Sequence, residues 1–378
     1  MGATHDSTTS SASDGAHGAP AVEGNAKASG PWTVRALLAW INGFLKDRDV
    51  DSPRSIAEIL LASTLQIERL KLYMEPDRVL DASELTHLRA LVARAGRHEP
   101  VQFLVGRCHF LGREFEVAPC TLIPRPCTEL LVDRALEWYR ARSGGPSARD
   151  GTGARDGTGA RVLELGTGTG CIAVSLALGL RAIDRPQGSG CRPLASSAST
   201  RADVAASIPT IAINGESSSE TTSSSEVALV GATLTIIATD IVAEAVALAT
   251  RNAARLGASM IDFRVGDLWA PVEGEAAFDL LVSNPPYVTD DEYLALDRNV
   301  REYEPASALR GGRDGLDVVR RIAQSAPTRV ASGGMVLLEI GWKHRDGAIA
   351  LFRNSAWRDV EVLQDGDALD RVLVAHRV

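Results

Sequence analysis

The sequence has no apolar run near the roughly 20 residues that a membrane-spanning helix needs, which excludes an integral helical membrane protein. It has no Cys-x-x-Cys pair. Its five cysteines are an odd number at uneven spacing, which argues against a disulfide framework and against a zinc knuckle. It also lacks a basic excess, because 40 Lys and Arg stand against 48 Asp and Glu for a net charge of −8. A protein that grips a polyanion mainly by neutralising phosphates carries the opposite balance. Residues 1–30 have neither a basic start nor an apolar centre and do not read as a secretory signal. These absences point to a cytoplasmic protein with no membrane partner and no stably bound nucleic acid. Nothing signals an obligate dimer, so a monomer is expected. The rest is ordinary for a globular chain: 378 residues, 45% hydrophobic and 23% charged, enough for about two domains with extras.

Residues 1–30 are mostly small and polar and read as a disordered tail, because they cannot bury enough surface to offset the entropy of ordering. From Trp32 the spacing turns helical, with Val34, Leu37, Leu38, Ile41 and Leu45 on one face. Ser52-Pro53 offers a cap and a first-turn proline for a second helix. Asp81 with Glu84 three positions on reads as a capping box ahead of Leu85, Leu88 and Leu91. Residues 31–105 are therefore expected to form a small helical domain. A hairpin linker follows at 106–126, with strands in Phe110–Val117 around Gly112. The prolines of Thr121-Leu-Ile-Pro-Arg-Pro126 exclude a helix there.

Two low-complexity insertions interrupt the remainder, residues 127–378. One, at about 143–160, contains a doubled Ala-Arg-Asp-Gly-Thr-Gly that reads as a linker, since no strand precedes its glycines. The other spans about 181–230, where 14 of the 30 residues 196–225 are Ser or Thr; it is too long and structureless for a compact interior. With these removed, strands and helices alternate to the C-terminus, which indicates an α/β fold with a mostly parallel sheet.

Arg161–Leu165 is a short apolar strand, followed at once by Gly166, Thr167, Gly168, Thr169 and Gly170 and then by an apolar helix. Glycines at a strand-to-helix turn let a ligand approach the backbone. The spacing is Glu-x-Gly-x-Gly-x-Gly and not the Gly-x-Gly-x-x-Gly of a pyrophosphate site, because position 171 is Cys. This form is associated with S-adenosylmethionine. The next strand ends in Asp240, placed either to take both hydroxyls of a ribose or to cap the following helix. Asp267 is a candidate hydrogen-bond partner for an adenine ring, and Trp269 is a candidate cover for it or a packing residue. Phe278–Ser283 then reads as a buried strand broken by Asn284, Pro285, Pro286 and Tyr287. Prolines supply carbonyls without competing N–H groups, so this corner converges acceptors suited to a substrate –NH₂, with Tyr287 as a flat face for its planar system. Two acceptors on its hydrogens would concentrate electron density on a poorly nucleophilic amide nitrogen and aim it at a methyl sulfonium. The seven histidines show no ligand spacing, and no metal is expected.

The chain resembles the HemK/PrmC protein-(glutamine-N5) methyltransferases. The likeness is carried by Ser52-Pro-Arg, Glu99-Pro with Gly106, Phe115-x-Val-x-Pro119, Thr121-Leu-Ile-Pro-Arg-Pro-x-Thr-Glu129, Glu164-Leu-Gly-Thr-Gly-Thr-Gly170, Asn284-Pro-Pro-Tyr287 and Tyr303-Glu-Pro305. It implies a class I S-adenosylmethionine-dependent methyltransferase fold, a Rossmann-like sheet of seven strands with a small N-terminal helical domain. The last hairpin would be antiparallel and would include Gly334–Gly341 and Arg371–His376. It implies that Gly166 to Gly170, Asp240, Trp269 and Asn284 hold the cofactor and that Asn284 to Tyr287 grip the substrate. That substrate would be the Gly-Gly-Gln glutamine of class 1 peptide chain release factors, docked by the helical domain and hairpin. Cys127 stands where an acid is usual, Ile56 stands where Asp is common, and the insertion before Asp240 is foreign to the pattern. That insertion is expected to emerge opposite the site. The alternatives are an amino methyltransferase acting on adenine N6 of nucleic acid, which the same corner would fit, and a release-factor adaptor without turnover.

Overall fold

The computed structural model describes residues 31–144, 160–184 and 234–378. The expected tail at 1–30 lies outside the described residues, as do the two expected insertions apart from residues 143, 144, 160 and 181–184. The N-terminal elements are α1 (Val34–Lys46), α2 (Pro53–Leu65), α3 (Lys71–Met74), α4 (Ala82–Ala95) and α5 (Val101–Val105). Val34, Leu37, Ile41 and Leu45 of α1 meet Leu60 and Leu61 of α2 and Leu88 and Leu91 of α4 in one core, with Leu38 and Leu85 partly buried against it. The capping box forms, with Asp81 accepting from the Glu84 N–H at 2.8 Å and Glu84 accepting from the Asp81 N–H at 2.9 Å. Pro53 does open α2, but Ser52 lies at φ +50° and makes no side-chain cap bond.

The hairpin β1 (Arg107–Phe110) and β2 (Arg113–Glu116) pairs Phe110 with Arg113 across Leu111-Gly112, both at positive φ. It begins three residues earlier than the expected span because Arg107 and Cys108 also pair. The chain continues through α6 (Glu129–Gly144), β3 (Arg161–Leu165), α7 (Cys171–Asp184), β4 (Thr235–Asp240), α8 (Ala243–Leu256), β5 (Asp262–Val265) and β6 (Phe278–Ser283). A short pair, β7 (Val288–Thr289) and β8 (Arg310–Gly312), brackets α9 (Asp290–Ala295) and α10 (Arg298–Arg301). Then come α11 (Asp317–Arg329), β9 (Val330–Glu339), α12 (Arg345–Phe352), β10 (Trp357–Gln364) and β11 (Asp370–Arg377).

Seven strands form one sheet in the order β10-β11-β9-β6-β3-β4-β5. Only β11 runs antiparallel to its neighbours. The fold is that of a class I S-adenosylmethionine-dependent methyltransferase with an N-terminal helical region. One detail differs from expectation. Gly334–Gly341 and Arg371–His376 do pair antiparallel, but α12 and β10 intervene, so the terminal hairpin is β10 with β11. The central strands are buried on both faces by α6 and α7 on one side and by α11 and α12 on the other, which is why they read as unbroken apolar runs. Among the described residues, no helix is long and apolar enough to cross a membrane.

β3 lies between β6 and β4, all parallel, so the carboxyl ends of three strands open on one edge of the sheet at the point where strand order reverses. At the opposite edge the Thr235 N–H donates to the Ala160 carbonyl at 3.0 Å, so β4 starts level with the beginning of β3. Residues 185–233 therefore leave and re-enter the described chain at the edge away from the glycine loop. Replacing them with a short Gly/Ser linker is expected to leave the thermal midpoint and the S-adenosylmethionine dissociation constant unchanged, by calorimetry.

Candidate active site

A cavity of about 250 Å³ opens at the strand ends. Its walls come from Gly166 and Gly168, from Thr239 to Val242, from Gly266 to Leu268, and from Asn284 and Pro286. Thr121 and Leu122 close it from the proline-rich segment.

The loop after β3 is wound by three glycines at φ +75°, +52° and +79° and fastened to β4, with the Gly166 and Thr167 N–H groups sharing the Thr239 carbonyl at 2.8 and 2.9 Å. Gly170 has a second reason to be glycine, because a Cβ there would lie 3.0 Å from the Ala249 Cβ of α8. Thr167 and Thr169 are buried beneath the loop and do not line the cavity; the Thr167 hydroxyl donates to Glu164 Oε2 at 2.7 Å. The same carboxylate oxygen accepts the Ala173 N–H at 3.1 Å, while Oε1 is buried without a partner. Burial pushes the Glu164 carboxyl up to about 8, against the pull of Thr167 and the Ala173 amide.

Asp240 lines the cavity and, as the capping reading has it, accepts at the start of the following helix. Oδ2 accepts the Gly168 N–H at 2.8 Å and Oδ1 the Val242 N–H at 2.9 Å, so the carboxylate braces the loop and the start of α8. The Asp240 carboxyl is raised by burial and held back by those amides. Asp267 also lines the cavity and pairs with Arg321. Trp269 does not line it. It packs against the core beneath α11, with Nε1 buried and unpartnered, so the packing alternative describes its position.

β6 is buried at every position and ends in the corner Asn284-Pro285-Pro286-Tyr287. The Ser283 hydroxyl donates to the Leu165 carbonyl at 2.7 Å and ties the ends of β6 and β3 together. Asn284 Nδ2 donates to Thr128 Oγ1 at 3.2 Å, and no described residue engages its Oδ1. Pro285 is buried, and neither it nor Tyr287 lines the cavity; the Tyr287 hydroxyl donates to Glu339 Oε1 at 3.1 Å. Burial raises the Tyr287 hydroxyl and the neighbouring Glu339 carboxylate raises it further. The Cys127 thiol, in the same cluster, is pushed up to about 11 by burial and by Glu339. The corner is enclosed by glycines that sequence reasoning missed. A Cβ on Gly311 would lie 2.7 Å from the Pro286 carbonyl oxygen and from Tyr287 Cα, and one on Gly341 would lie 3.3 Å from Tyr287 Cδ2.

Glu339 was also missed, and Thr128 and Glu304 stood in the quoted motifs without a role. Glu304 is buried, pairs with Arg125 and accepts the Ile123 N–H at 3.0 Å, which seats the Thr121–Pro126 segment against the cavity. Tyr303 beside it donates to the Arg97 carbonyl at 2.9 Å, next to the N-terminal helices. Glu339 carried a readable signal, since it is an acid closing an apolar strand, as Asp240 is. No three His, Cys, Asp or Glu among the described residues could hold a metal ion.

Two protein families match the chain: the PrmC N-terminal domain over residues 36–106 and the methyltransferase small domain over residues 223–302. The release factor glutamine methyltransferase of Geobacter sulfurreducens is 34% identical over 342 residues, covering 90% of this chain and 96% of that protein. That of Chlorobaculum tepidum is 34% identical over 349 residues, with 90% and 96% covered. That of Cereibacter sphaeroides is 35% identical over 329 residues, with 86% and 92% covered. Among solved structures, the T. thermophilus 16S rRNA N2 G1207 methyltransferase in complex with AdoMet and guanosine is 15% identical. It covers 72% of this chain and 50% of that one at a TM-score of 0.38.

Glu164 carries a pH signature. Its folded value, about 8, lies above the ordinary 4.5, so between these the folded state keeps a proton that the unfolded state has released. Stability is therefore expected to fall as pH rises through that window and to level off above it. Glu164→Gln keeps an acceptor for Thr167 and Ala173 and is expected to flatten the decline, which urea titrations at about pH 5 and about pH 8 will show. Gly311→Ala is expected to cost roughly 1–3 kcal/mol through overpacking and to lower turnover by displacing the corner, measured by denaturation and initial rates.

Proposed function

We propose a mechanism that starts from one fact: the chain belongs to the release factor glutamine methyltransferase family. It transfers a methyl group from S-adenosylmethionine to the side-chain amide nitrogen of a release-factor glutamine, and we assign the residues as follows. The cavity fits the cofactor by its donor set: carboxylate lone pairs on Asp240 for two hydroxyls, a glycine-walled approach, and apolar Leu268 and Val318 for a planar ring. Its one cationic side chain, Arg321, is already paired with Asp267, so no pyrophosphate cradle is present among the lining residues. When bound, S-adenosylmethionine supplies a methyl group on a positively charged sulfur.

The chain's own residues do the rest by positioning and electrostatics. Asn284 offers its unengaged Oδ1 to one hydrogen of the substrate carboxamide, and main-chain carbonyls at the diproline corner accept the other. Both acceptors push electron density onto the amide nitrogen and fix the direction in which it points. Pro285 and Pro286 hold the corner rigid, and Tyr287 supports the plane of the amide. The observation that carries this reading is the junction of the glycine loop, Asp240 and Asn284 around one cavity.

The glutamine is that of the Gly-Gly-Gln motif of class 1 release factors. The helices from α1 to α5 and the β1–β2 hairpin dock that partner, supported by the exposed apolar side chains of Leu70, Tyr73, Met74 and Val79. The protein acts as a cytoplasmic monomer without stably bound nucleic acid, a reading supported by its net charge of −8 and by a translation factor as substrate. No observation favours adenine N6.

Asn284→Ala is expected to lower kcat by about 10²–10³. Mass spectrometry of a release factor incubated with labelled cofactor should place the methyl group on the Gly-Gly-Gln glutamine and lose it with this variant. Label appearing in DNA or ribosomal RNA instead would overturn the assignment.

A further inference from the structure

The grip described above needs Asn284 to present its oxygen, yet the two ends of a carboxamide have nearly the same shape. Something must decide which end faces the substrate. Asn284 Nδ2 is held by Thr128 Oγ1 at 3.2 Å. A threonine hydroxyl is both donor and acceptor, so this contact fixes the amide only if the hydroxyl hydrogen is committed elsewhere. Glu339 is the group available. It ends β9 level with Asn284, because Ser283 pairs with Leu338 in the sheet. It is fully buried, its Oε1 accepts the Tyr287 hydroxyl at 3.1 Å, and its Oε2 is buried with no hydrogen-bond partner. Around it stand Cys127, Thr128, Tyr287 and, at longer range, Arg371 paired with Asp365.

We propose that Glu339 and Thr128 are positioning residues for methyl transfer: the Glu339 carboxylate takes the hydroxyl hydrogens of both Thr128 and Tyr287, so that Thr128 can only accept from Asn284 and Oδ1 is turned to the substrate amide. This rests on the functional reading above and deepens it. The logic is one of donor count. A carboxylate oxygen is acceptor-only, so a hydroxyl that donates to it cannot at the same time donate to Asn284. A neutral amide in its place would bring an –NH₂, which can donate to Thr128, release the threonine hydrogen toward Asn284 and let the carboxamide flip. Burial raises the Glu339 carboxyl, while Thr128, Tyr287 and Arg371 favour its charged form.

The test compares Thr128→Val, Thr128→Ser and Glu339→Gln with wild type, using a purified release factor and labelled S-adenosylmethionine. Expected for Thr128→Val and Glu339→Gln is a kcat lower by about 10–100-fold, the scale of a small misplacement of a reacting group. The KM for release factor and the cofactor dissociation constant should stay unchanged, and Thr128→Ser should recover most of the rate. Wild-type turnover in Thr128→Val overturns the proposal, and so does a Thr128→Ser as slow as Thr128→Val. Loss of cofactor binding in Glu339→Gln would assign that residue to packing and also overturn it. Should Thr128→Val fail to fold, full turnover in Glu339→Gln overturns the proposal by itself. If wild type transfers no methyl group to the release factor, the functional reading falls and this one with it.

Discussion

The position of β3 between β4 and β6 is the constraint on which the site depends. Parallel pairing on both sides sends the carboxyl ends of all three strands to one edge, and the chain must then leave each strand in a loop at that edge. The glycine loop, Asp240 and the Asn284 corner are thereby brought together although Leu165 and Ser283 are 118 positions apart. The Ser283 hydroxyl on the Leu165 carbonyl and the Thr239 carbonyl beneath the glycine loop are the pins at that junction. A slip of one residue in either pairing would turn every side chain to the other face and separate the motifs.

Glu164 and Glu339 are fully buried at or beneath this edge and Asp240 is partly buried there, and each is costly to place. Glu164 and Asp240 recover part of that cost by accepting backbone N–H groups of the loop and helices that they brace. Glu339 recovers it from side-chain hydroxyls. The difference matters for function. Carboxylates tied to backbone amides stiffen the loop and helix starts around the cavity, whereas the one tied to Tyr287 acts on a side chain of the Asn284-Pro-Pro-Tyr corner. Perturbed acids gathered around one cleft are a pattern that reaction sites share.

The proline-rich stretch shows how motif and packing cooperate. Thr121 to Pro126 contributes no ligand chemistry by residue type alone. Its place is set by the buried Glu304, which accepts from the Ile123 amide and pairs with Arg125, while Tyr303 bonds the carbonyl of Arg97 near the N-terminal helices. The N-terminal helices and the cavity wall are thus joined through one short segment, Tyr303 and Glu304.

Local chemistry made much of this readable in the chain itself. Apolar periodicity located α1 and α4; glycine spacing located the loop after β3; the Asn-Pro-Pro-Tyr run marked the corner, because no ordinary strand continues through two prolines. An acid at a strand end pointed to Asp240, yet the same signal at Glu339 passed unnoticed, since nothing near it in sequence suggests Tyr287 as its partner 52 positions away. Trp269 was ambiguous for a related reason: an aromatic after a strand end can face either the cleft or the core, and only the packing of α11 decides. The chain alone therefore determined which residue types could bind a sulfonium donor and an amide, because those are properties of single side chains and short turns. Tertiary structure alone decided which way the Asn284 amide faces and how tightly Gly311 and Gly341 close upon the corner. Those depend on atoms brought within a few ångströms by strand order, which no local pattern encodes.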